Sequence, residues 1–210
     1  MQRTSGIYNA LSLGWIYDWF QHLIGSKRAK QWLVRNIWKC KAGEKVVDMG
    51  CGTGEVLAYL PSDIDYVGFD ISKEYVEQAR KRYGRTARFL LGTGEDFINE
   101  TDSPLRDADL ILCNGLLHHL DDEEAITLLK LAKSALATDG RFCCFESTFL
   151  IHQGWWSKHI AKMDRGQNVR SEQAWRELFS QVFTSFSCNI ATGLIRIPYC
   201  HIIVECKHDD

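Results

Sequence analysis

The chain lacks an excess of either charge: 25 basic and 27 acidic residues leave a formal −2 over 210 residues. No global field therefore draws it to nucleic acid or to an anionic membrane. It also lacks a long apolar run. The longest, around Ala108–Leu112, breaks at Asn114, far short of a bilayer span. The opening Met1-Gln2-Arg3-Thr4-Ser5-Gly6 has neither the basic flank nor the apolar stretch of a signal peptide, so a cytoplasmic location is expected. No Cys-x-x-Cys pair occurs. The eight cysteines, Cys40, Cys51, Cys113, Cys143, Cys144, Cys188, Cys200 and Cys206, read as small buried hydrophobes in a reducing compartment, and no zinc site is expected. Repeats and linkers are absent too. With 45% hydrophobic and 25% charged residues, the chain reads as one globular domain.

What is present is an alternation of short apolar runs with helical patterns. Lys45–Met49, Tyr66–Asp70, Arg88–Leu91, Asp109–Cys113 and Arg141–Glu146 predict strands. Between them lie a short helix over Glu55–Leu60 stopped by Pro61, and a helix over Lys73–Tyr83. The second has Ser72 as N-cap and Gly84 as a left-handed C′ residue. Asp121 and Glu124 form a capping-box start; Ala125, Leu128, Leu129, Ala132 and Leu136 keep helical spacing to Gly140. Near-continuously apolar strands separated by helices imply an α/β fold, a mostly parallel sheet covered on both faces. Val182–Ile190 and Tyr199–Cys206 have no helix-length crossover between them and should pair antiparallel at one sheet edge.

The segment Asp48-Met49-Gly50-Cys51-Gly52-Thr53-Gly54-Glu55 follows the first strand and opens a helix. Glycines there let the chain turn sharply and bring bare backbone against a ligand. Asp70, at the end of the second strand, is placed to accept both hydroxyl protons of a ribose. The dinucleotide fingerprint fails at its third place, where Glu55 would repel a pyrophosphate. Asp48 adds a negative charge suited to an ammonium group. Together these favour S-adenosylmethionine over NAD and disfavour a nicotinamide dehydrogenase.

On these residues the sequence resembles the class I S-adenosylmethionine-dependent methyltransferases, from about Glu44 to Glu146. Val46 to Gly54 is similar to that family's first motif, Val67-Gly68-Phe69-Asp70-Ile71-Ser72 to its second, and Asp109 to Leu120 to its fourth-strand motif. The likeness is nearest to ubiquinone/menaquinone-type and sugar or polyketide O-methyltransferases. It implies a Rossmann-like seven-stranded sheet with an antiparallel edge strand. Residues 1–43 would be an N-terminal helical extension, 44–146 the cofactor-binding core, 147–181 an acceptor-side insertion and 182–210 the edge strands. It implies S-adenosyl-L-methionine as cofactor, S-adenosyl-L-homocysteine as product and no metal. The implied cofactor contacts are Asp48, Gly50, Cys51, Gly52, Gly54, Asp70, Ile71, Thr93, Gly94, Glu95, Asn114 and Gly115. Where many relatives carry an adenine-contacting Asp this chain has Thr93, so Glu95 or Asp96 is expected to substitute.

Methyl transfer needs a nucleophile held on the methyl axis and often a base. His118 and His119, at the exit of the fourth strand, are the candidate bases. As sequence neighbours their side chains are expected to diverge, which argues against metal binding. On the acceptor side the candidates are Trp155, His159 and an anion clamp of Arg165 and Arg170. Tyr8 and Tyr17, in the aromatic stripe Tyr8–Phe20, are candidates for a lid. The basic stretch Ser26–Lys30 reads as a solvated helix face. The expected function is O-methylation of a small-molecule acceptor, without nucleic acid or a transmembrane segment, and no pattern bears on oligomeric state. The alternative is a catalytically silent S-adenosylmethionine-binding regulatory or scaffold subunit.

Overall fold

The computed structural model describes residues 26–149, 168–194 and 200–208. In chain order these form helix α1 (Ser26–Leu33), a π-helical turn (Val34–Trp38), strand β1 (Lys45–Met49), a 3-10 turn (Glu55–Tyr59) and β2 (Asp65–Asp70). Then come α2 (Lys73–Tyr83), β3 (Arg88–Leu91), α3 (Gly94–Ile98), β4 (Ala108–Asn114) and a 3-10 turn (Leu117–His119). The chain continues with α4 (Asp122–Ala135), β5 (Leu136–Phe149), the two-residue β6 (Arg170–Ser171), α5 (Glu172–Ser180), β7 (Phe186–Thr192) and β8 (Cys200–Lys207).

The main sheet runs β3-β2-β1-β4-β5-β8-β7, with β6 paired to β5 off this path. The first five strands are parallel, with Val47 facing Val67 on one side and Ile111 on the other. β8 runs antiparallel to both β5 and β7. The expected antiparallel hairpin therefore closes one edge, and within it β8 is the reversed strand. Strand order turns about between β1 and β4, the switch point at which open α/β sheets bind ligands.

Strict alternation of side chains divides the core in two. On one face Val47, Met49, Ile111, Cys113, Phe142 and Cys144 pack with Leu129 and Ala132 of α4 and with Trp175, Leu178 and Phe179 of α5. On the other, Val46, Tyr66, Leu110, Leu112 and Cys143 meet Leu33 of α1, Trp38, and Val76 and Ala79 of α2. Of the eight cysteines, Cys40 is half-buried and the rest are buried. Among the described residues no helix is long and apolar enough to cross a membrane.

Local signals set most boundaries. The Ser72 hydroxyl accepts the Tyr75 N–H, and Asp121 and Glu124 form the expected reciprocal box. Two glycines differ from expectation. Gly84 is right-handed (φ −64°) rather than left-handed; its role is steric, because a Cβ there would sit 2.5 Å from the Arg80 carbonyl oxygen. Gly140 does not follow a helix end. The helix stops at Ala135 and Gly140 lies within β5, where a Cβ would meet the Ala108 carbonyl oxygen at 2.6 Å. The Glu55 segment is a 3-10 turn, since Pro61 leaves no room for a second α-turn.

Arg141 ties the segment before β1 to the sheet. Its guanidinium makes a fork with Glu44 (3.0 Å to each oxygen) and donates to the carbonyls of Trp38 (2.7 Å) and Asp109 (3.3 Å). Arg141→Met should leave the Glu44 carboxylate and the Trp38 carbonyl without these donors. The expected loss is about 2–4 kcal/mol, read as a lower urea midpoint with an unchanged slope.

Candidate functional site

The site is built from the ends of β1, β2 and β4. Leaving β1, the chain runs through Gly50, Gly52 and Gly54 with φ of 70°, 53° and 71°, a left-handed series that side chains disfavour. The Gly50 and Cys51 N–H groups both donate to the Phe69 carbonyl, at 2.9 and 3.0 Å, fastening the turn to β2. One residue on, Asp70 Oδ2 accepts the Gly52 N–H (3.0 Å) and Oδ1 accepts the Ser72 N–H (2.8 Å). Each oxygen keeps a further lone pair, so the carboxylate is held at two points and can still receive a diol. A Cβ on Gly52 would meet no heavy atom within 4 Å, whereas on Gly50 it would strike Leu116 and on Gly54 the Phe89 ring. The turn is packed at both ends and open at its middle.

The flanking residues divide by role. Cys51 turns its side chain inward against Gly68, so only its backbone faces the turn. Ile71 is 77% exposed beside Asp70, and Leu91, 43% exposed, lies across from Asp70 on β3. Large apolar side chains left bare at two neighbouring strand ends make an apolar shelf. Thr93 is the N-cap of α3, with its N–H and hydroxyl both on Asp96. These bonds hold the Asp96 carboxyl below its usual range. Asp96 therefore serves the helix start; exposed Glu95 is not so engaged. Gly94 packs beneath Leu131 and Phe69, where a Cβ would be 2.8 Å from Leu131.

Asp48 points to the α1 side of the sheet, 2% exposed, and accepts the Tyr66 hydroxyl at 2.5 Å. Burial pushes its carboxyl up to about 7, against the pull of the Tyr66 bond; Asp70 adds to the rise and Lys30 opposes it. At the end of β4, both polar atoms of the Asn114 amide are buried without a hydrogen-bond partner. Gly115 follows at φ 68°, its N–H on the Phe145 carbonyl. An unpaired buried amide is costly, and here it stands at the switch point.

After β4 the expected histidines behave differently from expectation. They lie at the exit of β4 on a 3-10 turn, and their rings are in tilted contact, centroids 4.1 Å apart, instead of diverging. His118 is buried and its Nδ1 lies 2.5 Å from Glu146 Oε2. Glu146 Oε1 also accepts the N–H groups of Leu116 and Leu117, both at 2.8 Å. The sequence reading passed over Glu146. Its signal was a carboxylate ending an apolar strand, a residue that is buried only when partnered. Among the described residues no group of His, Cys, Asp and Glu is arranged to hold a metal.

Arg170 is corrected. Its guanidinium is buried and spent on Asp122 (2.8 Å) and the carbonyls of Leu117, Leu120 and Asn168, with Trp175 beneath it. It braces the turn after β4 and has no donor set aside for an acceptor anion. Lys30 is corrected too: it leaves the solvated face to pair with Glu55. Tyr8, Tyr17, Trp155, His159 and Arg165 lie outside the described residues.

Residues 46–140 match the family model described as a methyltransferase domain. The match agrees with the resemblance carried by the glycine turn. Curated relatives include O-methyltransferase cnsE of Penicillium expansum, 36% identical over 92 residues (40% of this chain, 32% of the relative). Another is the ubiquinone biosynthesis O-methyltransferase of Actinobacillus pleuropneumoniae serotype 7, 32% identical over 105 residues (47% of this chain, 43% of the relative). The chain thus spans less than half the length of these two curated relatives. Among solved structures, the plantazolicin methyltransferase BpumL in complex with a triazolic desmethylPZN analog and SAH shares the fold. Its TM-score is 0.68 at 14% identity, covering 98% of this chain and 93% of that one.

The raised Asp48 carboxyl gives a test by pH. Unfolded, it titrates near 3.8; folded, near 7. Between those values the native domain holds an extra proton, so this residue's stabilising contribution is full below about pH 4. It is lost as pH rises to 7, at up to about 1.4 kcal/mol per pH unit. Asp48→Asn should remove that slope, so urea midpoints of variant and wild type should diverge in favour of the variant from pH 5 to pH 8.

Proposed function

We propose that this domain transfers a methyl group from S-adenosylmethionine to oxygen of a small-molecule acceptor. The observation that carries the reading is the Asp70 carboxylate, fixed by Gly52 and Ser72 yet able to accept two more hydrogen bonds, next to an open glycine backbone. Asn114 supports it, because its unpaired amide offers one donor group and one acceptor to the amino-acid end of the cofactor. Ile71 and Leu91 would take the adenine on their apolar shelf, with Glu95 beyond Thr93 the remaining polar candidate for its amine. Asp48 and the backbone of Gly50, Cys51, Gly54 and Gly115 would complete the cradle. When bound, the cofactor supplies a sulfonium-activated methyl group, an electrophile that needs no metal. The acceptor's own hydroxyl remains to be deprotonated.

His118 is the group we assign to that proton. With Nδ1–H donated to Glu146, the basic lone pair lies on Nε2, and the carboxylate stabilises the imidazolium once it forms. Glu146 is a positioning residue here: it fixes the ring and, through Leu116 and Leu117, the turn that carries it. His119 packs against the same ring in a tilted contact and supports its orientation. The acceptor class is supported by relatives named as O-methyltransferases.

Two measurements test the reading. Asp70→Ala should weaken S-adenosylhomocysteine binding about 10- to 100-fold by calorimetry, the range for hydrogen bonds to a charged group. Unchanged affinity would remove the ribose assignment. His118→Ala should lower single-turnover methylation about 10²- to 10⁴-fold on a hydroxylated acceptor found by panel screening. Its S-adenosylhomocysteine affinity should stay within a factor of three, whereas equal losses in rate and affinity would make His118 a fold residue.

A further inference from the structure

The end of the sheet that carries the glycine turn is acidic. Asp48, Glu55 and Asp70 all belong to it, and Asp70 is close enough to add to the cost of ionising Asp48. Four of the described arginines are committed elsewhere. Arg141 holds Glu44 and Arg88 holds Asp65, both at the opposite ends of their strands. Arg80 holds the Phe89 carbonyl and Arg170 the turn after β4. Among the described residues Lys30 is the cation paired within the glycine segment, reaching from α1 to Glu55, the first residue after Gly54. It is drawn inward, with the side chain 21% exposed and its helix anchored by buried Ala29 and Leu33. A solvated lysine would give up little by staying in water. This one spans 25 positions of sequence to meet the Glu55 carboxylate, next to Gly54.

An ammonium carries three N–H donors. Glu55 engages one and so holds Nζ in place, leaving donors for a second anion. Resting on the cofactor reading above, we infer that Lys30 binds the α-carboxylate of the cofactor's amino-acid end, with Glu55 as the residue that positions it. The assignment resolves a mismatch of charge. A ligand end carrying an ammonium and a carboxylate finds acids and the Asn114 amide at this site, and Lys30 supplies the cation its carboxylate requires. It also gives α1 a binding task that the composition of Ser26–Lys30 did not suggest.

The test compares two ligands by calorimetry: S-adenosylhomocysteine and its decarboxylated form, which keeps the ammonium and lacks only the carboxylate. Wild type should prefer the carboxylated ligand about 10- to 100-fold. Lys30→Met should bring the two within about threefold, by weakening the first and sparing the second. Retained binding of the decarboxylated ligand shows that the variant's site is folded. Lys30→Arg, which keeps the charge, should keep most of the preference. Full preference in Lys30→Met, or none in wild type, overturns the role of Lys30 while leaving the cofactor in place. If wild type binds neither ligand, the cofactor reading itself falls, and this inference with it.

Discussion

The bond from the Gly52 N–H to Asp70 is the contact on which the site depends. Without it, three left-handed glycines would form a loose loop, and Asp70 would be one exposed acid at a strand end. With it, the turn after β1 and the end of β2 become one unit, fastened a second time by the Phe69 carbonyl accepting from Gly50 and Cys51. The register of β1 on β2 puts these partners side by side. The parallel sheet therefore does more than bury apolar surface: it fixes the separation of a carboxylate and a bare backbone to within a hydrogen-bond length.

A similar economy holds after β4. One buried carboxylate, Glu146, and one buried guanidinium, Arg170, satisfy opposite ends of the same short turn. The first accepts from two N–H groups and the His118 ring; the second donates to the Leu117 and Leu120 carbonyls. A 3-10 turn has few internal hydrogen bonds. It keeps one shape here because charged side chains from β5 and β6 replace the missing ones. The ring contact of the two histidines follows from that shape.

Much of this was legible in the sequence, for a physical reason. β1, α2 and the start of α4 are set by local chemistry: an apolar run, a Ser cap, an Asp–Glu box. The glycine turn and Asp70 could be read together because a strand and two short connections fix their spacing. The parts that were not legible depend on partners far apart in the chain. Gly84 gave the signal of a left-handed cap and Gly140 that of a helix end, although it is the Arg80 and Ala108 carbonyls that exclude a side chain there. Arg170 resembled an anion clamp because a sequence does not show which donors are already used. Lys30 and Glu55 lie 25 residues apart, and nothing local joins them.

The buried cysteines have a consequence of their own. Burial raises the Cys113 and Cys144 thiols far above their ordinary range and Cys143 to about 12, so the folded sheet holds almost no thiolate at neutral pH. Alkylation of these residues must wait for the strands to part. Placed on β4, β5, β7 and β8, Cys113, Cys143, Cys144, Cys188, Cys200 and Cys206 are in effect clocks wired to separate strands. The order in which an electrophile marks them would report the order in which the sheet comes apart.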